Sequence, residues 1–472
     1  MEMFFGGIPT AASNGKTMNV INPINQEIID TVPCATPEDV NHVLSIAQDG
    51  AKLWGSKTTE ERADILCNAA DALISEQETI ATLLSKETGK PYKQSLGCVD
   101  LASQLFRGYA EKAKHLYGHI LPSADDFITV QREPLGVVVC ITPFNFPIEL
   151  YGHKAGPALA AGNAVVIKPA SDTPLATIYM TEVLIRSGIP AEVLHVVTGS
   201  GSIVGRALSE SPKVNAISLT GSTSVGIDIM EHCAKNMTRT FMELGGNDGV
   251  IILDDADIDH AVAEAINGRI YNAGQVCCAP KRFIVHNSIL DEFSEKLVKR
   301  ILALKIGDPF DPSSDMGCLI SESAATEVAE QVNNTIAAGA KCLCGGERYD
   351  KSFYKPTVLT NVTQDMPIAK DMEIFGPVFP IIGFDTDEEA LSILNQSSYG
   401  LSGGVISNNT QRAFGIAKQI DAGGAIVNGV GMYRTIHMPF GGHKKSGIGT
   451  EGFLETLQEM MRTKSIVLKG LH

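Results

Sequence analysis

Apolar positions along this chain change their spacing twice. Beyond Thr36 they recur every three or four residues, at Val40, Val43, Leu44 and Ala47 and again between Ala63 and Ile74, the period of helices with one buried face. Thr36-Pro37-Glu38-Asp39 has the form of a capping box with proline at the first helical position; Thr59-Glu60-Glu61-Arg62 repeats the theme, and Gly89 followed by Pro91 predicts a helix stop. The first third therefore reads as helical. From Leu135 onward the apolar runs become short and continuous. Residues 135–141, 164–168 and 214–220 are rich in β-branched side chains, and turn residues and a helical stretch follow each of them. Buried parallel strands of βαβ units look like this, so the expectation is a doubly wound α/β domain with right-handed crossovers.

Residues 250–253 open a second α/β unit, in which the Asp254-Asp-Ala-Asp257 turn caps a helix running from Ile258 to about Tyr271. Val358 and the segments 380–384 and 425–428 supply further strands. Residues 127–132 alternate as a strand in a hairpin-like excursion, and 463–468 read as a terminal strand after a helix. There is no internal repeat and no low-complexity segment.

A length of 472 residues with 44% hydrophobic content fits two or three globular domains with a large core. The net charge of -16 disfavours nonspecific attraction to nucleic acid or anionic lipid, so a small molecule is the expected partner. No run approaches the roughly 20 apolar residues of a membrane span, and residues 1–15 lack the basic residues of a secretory signal, so a cytoplasmic protein is expected. The ten cysteines lack metal-ligand spacing: neither Cys342-Leu-Cys344 nor Cys277-Cys278 has a second pair or adjacent histidines, and no metal is expected. Most, such as Cys67, Cys98 and Cys233, read as small buried hydrophobes.

Cys277 has a different setting. It closes Asn272-Ala-Gly-Gln-Val-Cys277, with Glu243-Leu-Gly-Gly246 before it and Glu373-Ile-Phe-Gly-Pro377 after it. From composition alone, Asn145 is a turn residue between Pro143 and Pro147, Glu243 a loop carboxylate beside a glycine pair, and Lys168 and Glu373 surface charges. Gly199-Ser-Gly201-Ser-Ile-Val-Gly205 is not the GxGxxG pattern of dinucleotide sites, so spacing by itself names no cofactor.

Those three segments, with Thr142-Pro-Phe-Asn-Phe-Pro147 and Pro439-Phe-Gly-Gly-His-Lys-Lys-Ser-Gly447, resemble in the same order the signatures of the aldehyde dehydrogenase superfamily. The resemblance runs nearly end to end. It implies a Rossmann-like cofactor domain (1–112 and 135–245), a second, catalytic α/β domain (246–447) and a small β oligomerisation domain (113–134 and 448–472). Strands of the last would pair across subunits of a homodimer or homotetramer.

The implied activity is NAD(P)-dependent oxidation of a small aldehyde to its acid. A free carbonyl has no hydride it releases easily, whereas a thiohemiacetal alkoxide does, and cysteine is the natural nucleophile for making one. The family pattern gives that role to Cys277, the first cysteine after Gly-Gln-x, rather than to Cys278. Asn145 and the backbone N–H of Cys277 would hold the alkoxide. Glu243 would activate the water that hydrolyses the thioester, a residue that relatives acting on coenzyme A generally lack. The cofactor would lie against Ile141, Thr142, Pro143 and Phe144, with Lys168 and Ser171 at the adenosine ribose and Gly201 nearby. Gly221 and Ser222, where a helix opens, would face the pyrophosphate, and Leu244, Glu373 and Phe375 the nicotinamide ribose.

Members favouring NAD commonly carry a glutamate where this chain has Ser171. Serine can donate to a 2′-phosphate with Lys168 as its charged partner, which points to NADP being accepted and leans toward its being preferred. Where the succinate semialdehyde branch usually has arginines, this chain has His153 and Tyr271. Lacking that fork, a pocket lined also by Phe146 suits a short hydroxylated or lightly charged aldehyde, as in the lactaldehyde branch, with Arg107, Arg282 or Arg434 as the side chains that would compensate. The alternatives are a succinate semialdehyde dehydrogenase, acyl transfer to coenzyme A or phosphate, and a noncatalytic structural or binding member of the fold.

Overall fold

The computed structural model describes residues 1–123 and 125–470. Its largest sheet has eight strands, in the order Ile8–Thr10, Met3–Phe5, Leu194–Val196, Ala164–Lys168, Val137–Ile141, Ala216–Thr220, Arg239–Glu243, Gly447–Ile448. The five inner strands are parallel, and antiparallel strands finish both sides. Val137–Ile141, Ala164–Lys168 and Ala216–Thr220 are buried at every position, because both faces of the sheet are covered; this produces continuous apolar runs rather than alternation. The chain winds outward from Val137–Ile141 and resumes on its other side at Ala216–Thr220. Loops leaving these two strands diverge, which opens a crevice at the carboxyl ends, at Thr142 and Gly221.

A seven-stranded sheet follows, in the order Lys341–Cys344, Thr357–Thr360, Val378–Phe384, Arg282–His286, Gly249–Ile252, Ser402–Ile406, Gly424–Val427, parallel except at its Lys341–Cys344 edge. The third sheet is antiparallel. Met461–Lys469 forms its edge beside Asp126–Pro134, which pairs in turn with His119–Leu121, and Ile466, Val467 and Leu468 are exposed on that edge strand. Ala124, Leu471 and His472, within the segments expected to assemble subunits, lie outside the described residues. No helix among the described residues is long and apolar enough to cross a membrane.

The helical reading of the first third needs correction at its start, where Met3–Phe5, Ile8–Thr10, Thr17–Ile21 and Ile28–Pro33 are strands. Met3–Phe5 joins the large sheet beside Leu194–Val196, a pairing that local periodicity cannot reveal. Helices then run Pro37–Gly55, Thr59–Ser75, Gln77–Thr88 and Tyr92–Ala113. Thr36 and Asp39 form the expected capping box; the second box is Thr58 with Glu61, one residue earlier than expected. Gly89 ends Gln77–Thr88 at φ 73, where a Cβ would run into Cys318.

Glu87 caps a helix from a distance. Fully buried, its carboxylate accepts from the Leu175 and Ala176 amides at 2.7 and 3.1 Å, at the start of Leu175–Arg186. Burial outweighs those bonds and pushes its carboxyl up to about 8. A carboxyl raised in the folded state holds its proton there more tightly than in the unfolded chain, so stability falls as pH climbs from the ordinary carboxylate range toward about 8. Glu87→Gln keeps one of the two acceptor oxygens and removes the titration; it is expected to lower Tm but flatten its dependence on pH across this range, and an unchanged slope contradicts the assignment.

Candidate active site

The loop that carries Cys277 hangs from the end of the helix Ile258–Ile270. Arg269, fully buried, donates to the carbonyls of Val378 (2.8 Å), Ile374 (2.6 Å) and Gly274 (3.4 Å), which ties the loop to the segment carrying Glu373. Asn272, Ala273 and Gly274 all have positive φ (49, 54 and 77), and a Cβ on Gly274 would run into the Gly376 carbonyl. This reversal carries Cys277 back toward the large sheet. Lys281 then donates to the Cys277 carbonyl and pairs with Glu373 at 3.2 Å, linking the thiol's backbone to that carboxylate.

Two spaces meet at the thiol. A cavity of about 360 Å³ is lined by Pro143, Phe144, Asn145, Leu244, Cys277, Glu373 and Phe375. It shares Gly221 and Ser222 with a cleft of about 570 Å³ in the crevice of the large sheet, lined by Ile141, Thr142, Lys168 and Gly201. On the other side of Cys277 lies a cavity of about 510 Å³ lined by Asn145, Phe146, His153, Tyr271 and Cys278. Phe146 and Tyr271 stack there with ring centroids 6.0 Å apart. Of the residues that the resemblance assigns to catalysis, cofactor or substrate, all border one of these three spaces except Ser171 and Glu243. Ser171 stands beside the cleft with its hydroxyl on the Gly199 carbonyl (3.5 Å), while Arg206 lines the cleft. Glu243 ends its strand at a void of about 10 Å³, close to the room one water needs, bordered also by His153, Ser218 and Glu451.

The cleft suits an extended dinucleotide. Ser222 opens the helix Thr223–Cys233 and accepts from the Val225 amide at 3.4 Å, which puts a helix N-terminus at the cleft wall. Among the described residues the Thr142 and Thr220 hydroxyls are buried there without partners, and burial lowers Lys168 to about 8, a shift that a bound anion would oppose. A Cβ on Gly245 would stand 2.5 Å from Glu373 Oε2, so only glycine allows that close approach; the Gly246 amide donates to Oε1 at 3.2 Å.

Charge is concentrated behind the thiol. The Cys278 side chain and burial push the Cys277 thiol well above its ordinary value. Burial first, and then the Glu451 carboxylate, hold Glu243 well above the usual carboxylate range, and its Oε1 has no partner. Lys154 Nζ lies 3.3 Å from both Ser218 Oγ and Glu451 Oε1, while Arg434 Nη2 lies 2.8 Å from Glu451 and 3.4 Å from His153 Nδ1. Burial would raise Glu451, but Lys154, His153 and Arg434 outweigh it and hold it at about 2; burial and Arg434 keep His153 neutral at about 3.

Of the three arginines offered as compensating groups, only Arg434 lines the 510 Å³ cavity. Arg107 is on the surface against Asp71, and Arg282 donates to the carbonyls of Asn247, Ala369, Ile393 and Leu394. Lys154, Lys281, Glu451 and Glu149 escaped notice in the sequence. Glu149 and Lys154 had one signal, being charged residues in the otherwise buried helix Pro147–Ala160; Glu451 had none.

The chain matches the aldehyde dehydrogenase family over residues 10–466, and it belongs to that family. It is 37% identical over 458 residues to the lactaldehyde dehydrogenase of Methanococcus vannielii, covering 96% of this chain and 97% of that protein. It is 39% identical to the 3-sulfolactaldehyde dehydrogenase of Priestia aryabhattai (97% and 96%) and 36% identical to the NADP(+) succinate-semialdehyde dehydrogenase of Escherichia coli (96% and 94%). Betaine aldehyde dehydrogenase from Staphylococcus aureus, solved with NAD+, superposes with a TM-score of 0.97 at 35% identity, covering 100% of this chain and 95% of that one. An NADP-dependent enzyme of Escherichia coli gives the same TM-score and identity, covering 99% and 98%. The reaction class is therefore aldehyde oxidation.

Proposed function

We propose that the protein oxidises a short hydroxylated aldehyde to the carboxylic acid with NADP or NAD, through a thioester on Cys277 that is then hydrolysed. The observation that carries this reading is the location of Cys277 and Asn145 where the cofactor cleft and the aldehyde cavity meet. Leu244, Glu373 and Phe375, lining the 360 Å³ cavity with Cys277, would hold a nicotinamide there, which would supply the hydride acceptor. Cys277 supplies the sulfur that bonds to the carbonyl carbon. One N–H of the Asn145 amide is held by the Gln275 carbonyl at 2.9 Å, which leaves the second for the alkoxide. Lys90 donates to the Asn145 carbonyl at 2.8 Å and fixes that loop. Glu243, beside a water-sized void, takes the proton of the hydrolytic water.

Arg434 is the observation in favour of a dicarboxylic semialdehyde, but its charge is already matched by Glu451 at 2.8 Å. The cofactor cleft is lined by two cationic side chains, Lys168 and Arg206, against one carboxylate, Asp228, and Ser171 adds no negative charge, which supports use of NADP. Ser171→Glu is expected to shift the NADP-to-NAD ratio of kcat/KM at least about 10-fold toward NAD; a ratio that stays put contradicts this part of the reading. In the same reading, residues 1–112 with 135–245 bind the cofactor, 246–447 carry the nucleophile, and the exposed Met461–Lys469 edge joins subunits of a dimer or tetramer.

The test is a panel of short aldehydes with each cofactor, free of coenzyme A and phosphate. NAD(P)H and acid should form in equal amounts. Strict dependence on an added acyl acceptor, or no NAD(P)H from any aldehyde, overturns the proposal.

A further inference from the structure

One charged side chain of the aldehyde cavity takes no part in the chemistry above. Glu149, on the helix Pro147–Ala160, lines the 510 Å³ cavity together with Cys277 and Arg434, and among the described residues its carboxylate has no hydrogen-bond or ion-pair partner. Burial raises its carboxyl, and Arg434 and Lys90 pull it back. The neighbouring charges are engaged with one another: Arg434 donates to Glu451 and lies 4.2 Å over the Phe440 ring, and Lys154 pairs with Glu451 at 3.3 Å. Among the described residues, the Glu149 carboxylate is the charged group of this cavity left unmatched, and Arg434 Nε is buried without a partner.

An idle carboxylate beside a cation that is already paired selects among ligands. A substrate carboxylate would face Glu149 and find Arg434 already matched by Glu451; a substrate ammonium would satisfy Glu149 but face Arg434. A hydroxyl is both donor and acceptor and carries no charge. We propose that Glu149 is a specificity-determining residue that accepts a hydrogen bond from a hydroxyl on the aldehyde's carbon chain, so that neutral hydroxyaldehydes are favoured over unsubstituted, anionic and cationic ones. The inference rests on the reading of Cys277 as the nucleophile that this cavity serves. A site holding polar groups that only the right substrate satisfies rejects analogues lacking the matching group, because those groups are then left unpaired.

The experiment measures kcat/KM for propanal, 2-hydroxypropanal, 3-hydroxypropanal, 3-aminopropanal and succinate semialdehyde, using the full-length wild type, Glu149→Leu and the isosteric Glu149→Gln. The wild type should prefer a hydroxypropanal to propanal by about 30-fold or more. Glu149→Leu should lose that preference, with propanal and succinate semialdehyde both improved because no unpaired carboxylate is left to face them; Glu149→Gln, which retains an acceptor, should keep part of it. Equal discrimination in the wild type and Glu149→Leu overturns the inference. So does an equal fall for all aldehydes in both variants, which marks a structural role, and so does a wild type that favours 3-aminopropanal. A wild type that oxidises propanal and the hydroxypropanals alike removes this inference alone, whereas one inert to the whole panel removes the parent reading too.

Discussion

Replacing Cys277 by serine is expected to lower kcat/KM for the preferred aldehyde by at least about 10³-fold, with little change in Tm. Serine is nearly isosteric, so the packing of this half-buried position survives. What is lost is a sulfur nucleophile that is intrinsically more reactive and far more acidic than a serine hydroxyl, even with Cys278 and burial holding the thiol up, and among the described residues no histidine hydrogen-bonds position 277 to activate a hydroxyl in its place. Cys278 is the more buried of the two, 8% exposed, with its sulfur 3.9 Å from that of Met432. Cys278→Ser should therefore retain activity within about tenfold. Steady-state kinetics of both variants, with circular dichroism to check folding, decide the matter; substantial turnover in Cys277→Ser together with its loss in Cys278→Ser reverses the assignment.

Glu243→Gln is expected to separate the two halves of the reaction. Cys277 and Asn145 remain, so one equivalent of NAD(P)H should appear rapidly, followed by steady-state turnover slower than wild type by about 10² to 10⁴. A pH dependence follows from the same carboxyl. A base works only when deprotonated, and burial with Glu451 raises Glu243, so the wild-type thioester-hydrolysis rate should climb through a pH above the ordinary carboxylate range. Glu243→Gln should lack that limb while its burst keeps the pH profile of the thiol. Rapid-mixing kinetics across pH measure both phases. Loss of the burst along with turnover would place Glu243 in the thioester-forming half instead.

How much of this was legible in the sequence depended on the range of the interaction. The continuous apolar runs near 137–141, 164–168 and 216–220 disclosed a covered parallel sheet, because burial on both faces leaves its mark residue by residue. Thr36 with Asp39 could be read because a capping box is a local geometry. Met3–Phe5 could not, since its sheet partner lies about 190 residues away at Val196. The site divides in the same way. Cys277, Asn145, Glu243 and Glu373 each sit in a compact segment, whereas Glu451 gains meaning only when the chain returns to bring it against Lys154, 297 residues earlier. Ser171 marks the limit of reasoning from motifs: the segment falls at the cleft, but the hydroxyl turns to the Gly199 carbonyl while Arg206 lines the wall.

The central claim is that the aldehyde carbon becomes bonded to the sulfur of Cys277 and leaves as an acid. Acid-quenched Glu243→Gln, incubated with 2-hydroxypropanal and NADP and then digested for mass spectrometry, tests it most directly. The account predicts a 2-hydroxypropanoyl group on the peptide containing Cys277, fragmenting to that residue and absent when the cofactor is omitted. An unmodified Cys277 in a sample that has formed NADPH, or the acyl group on Cys278, contradicts it.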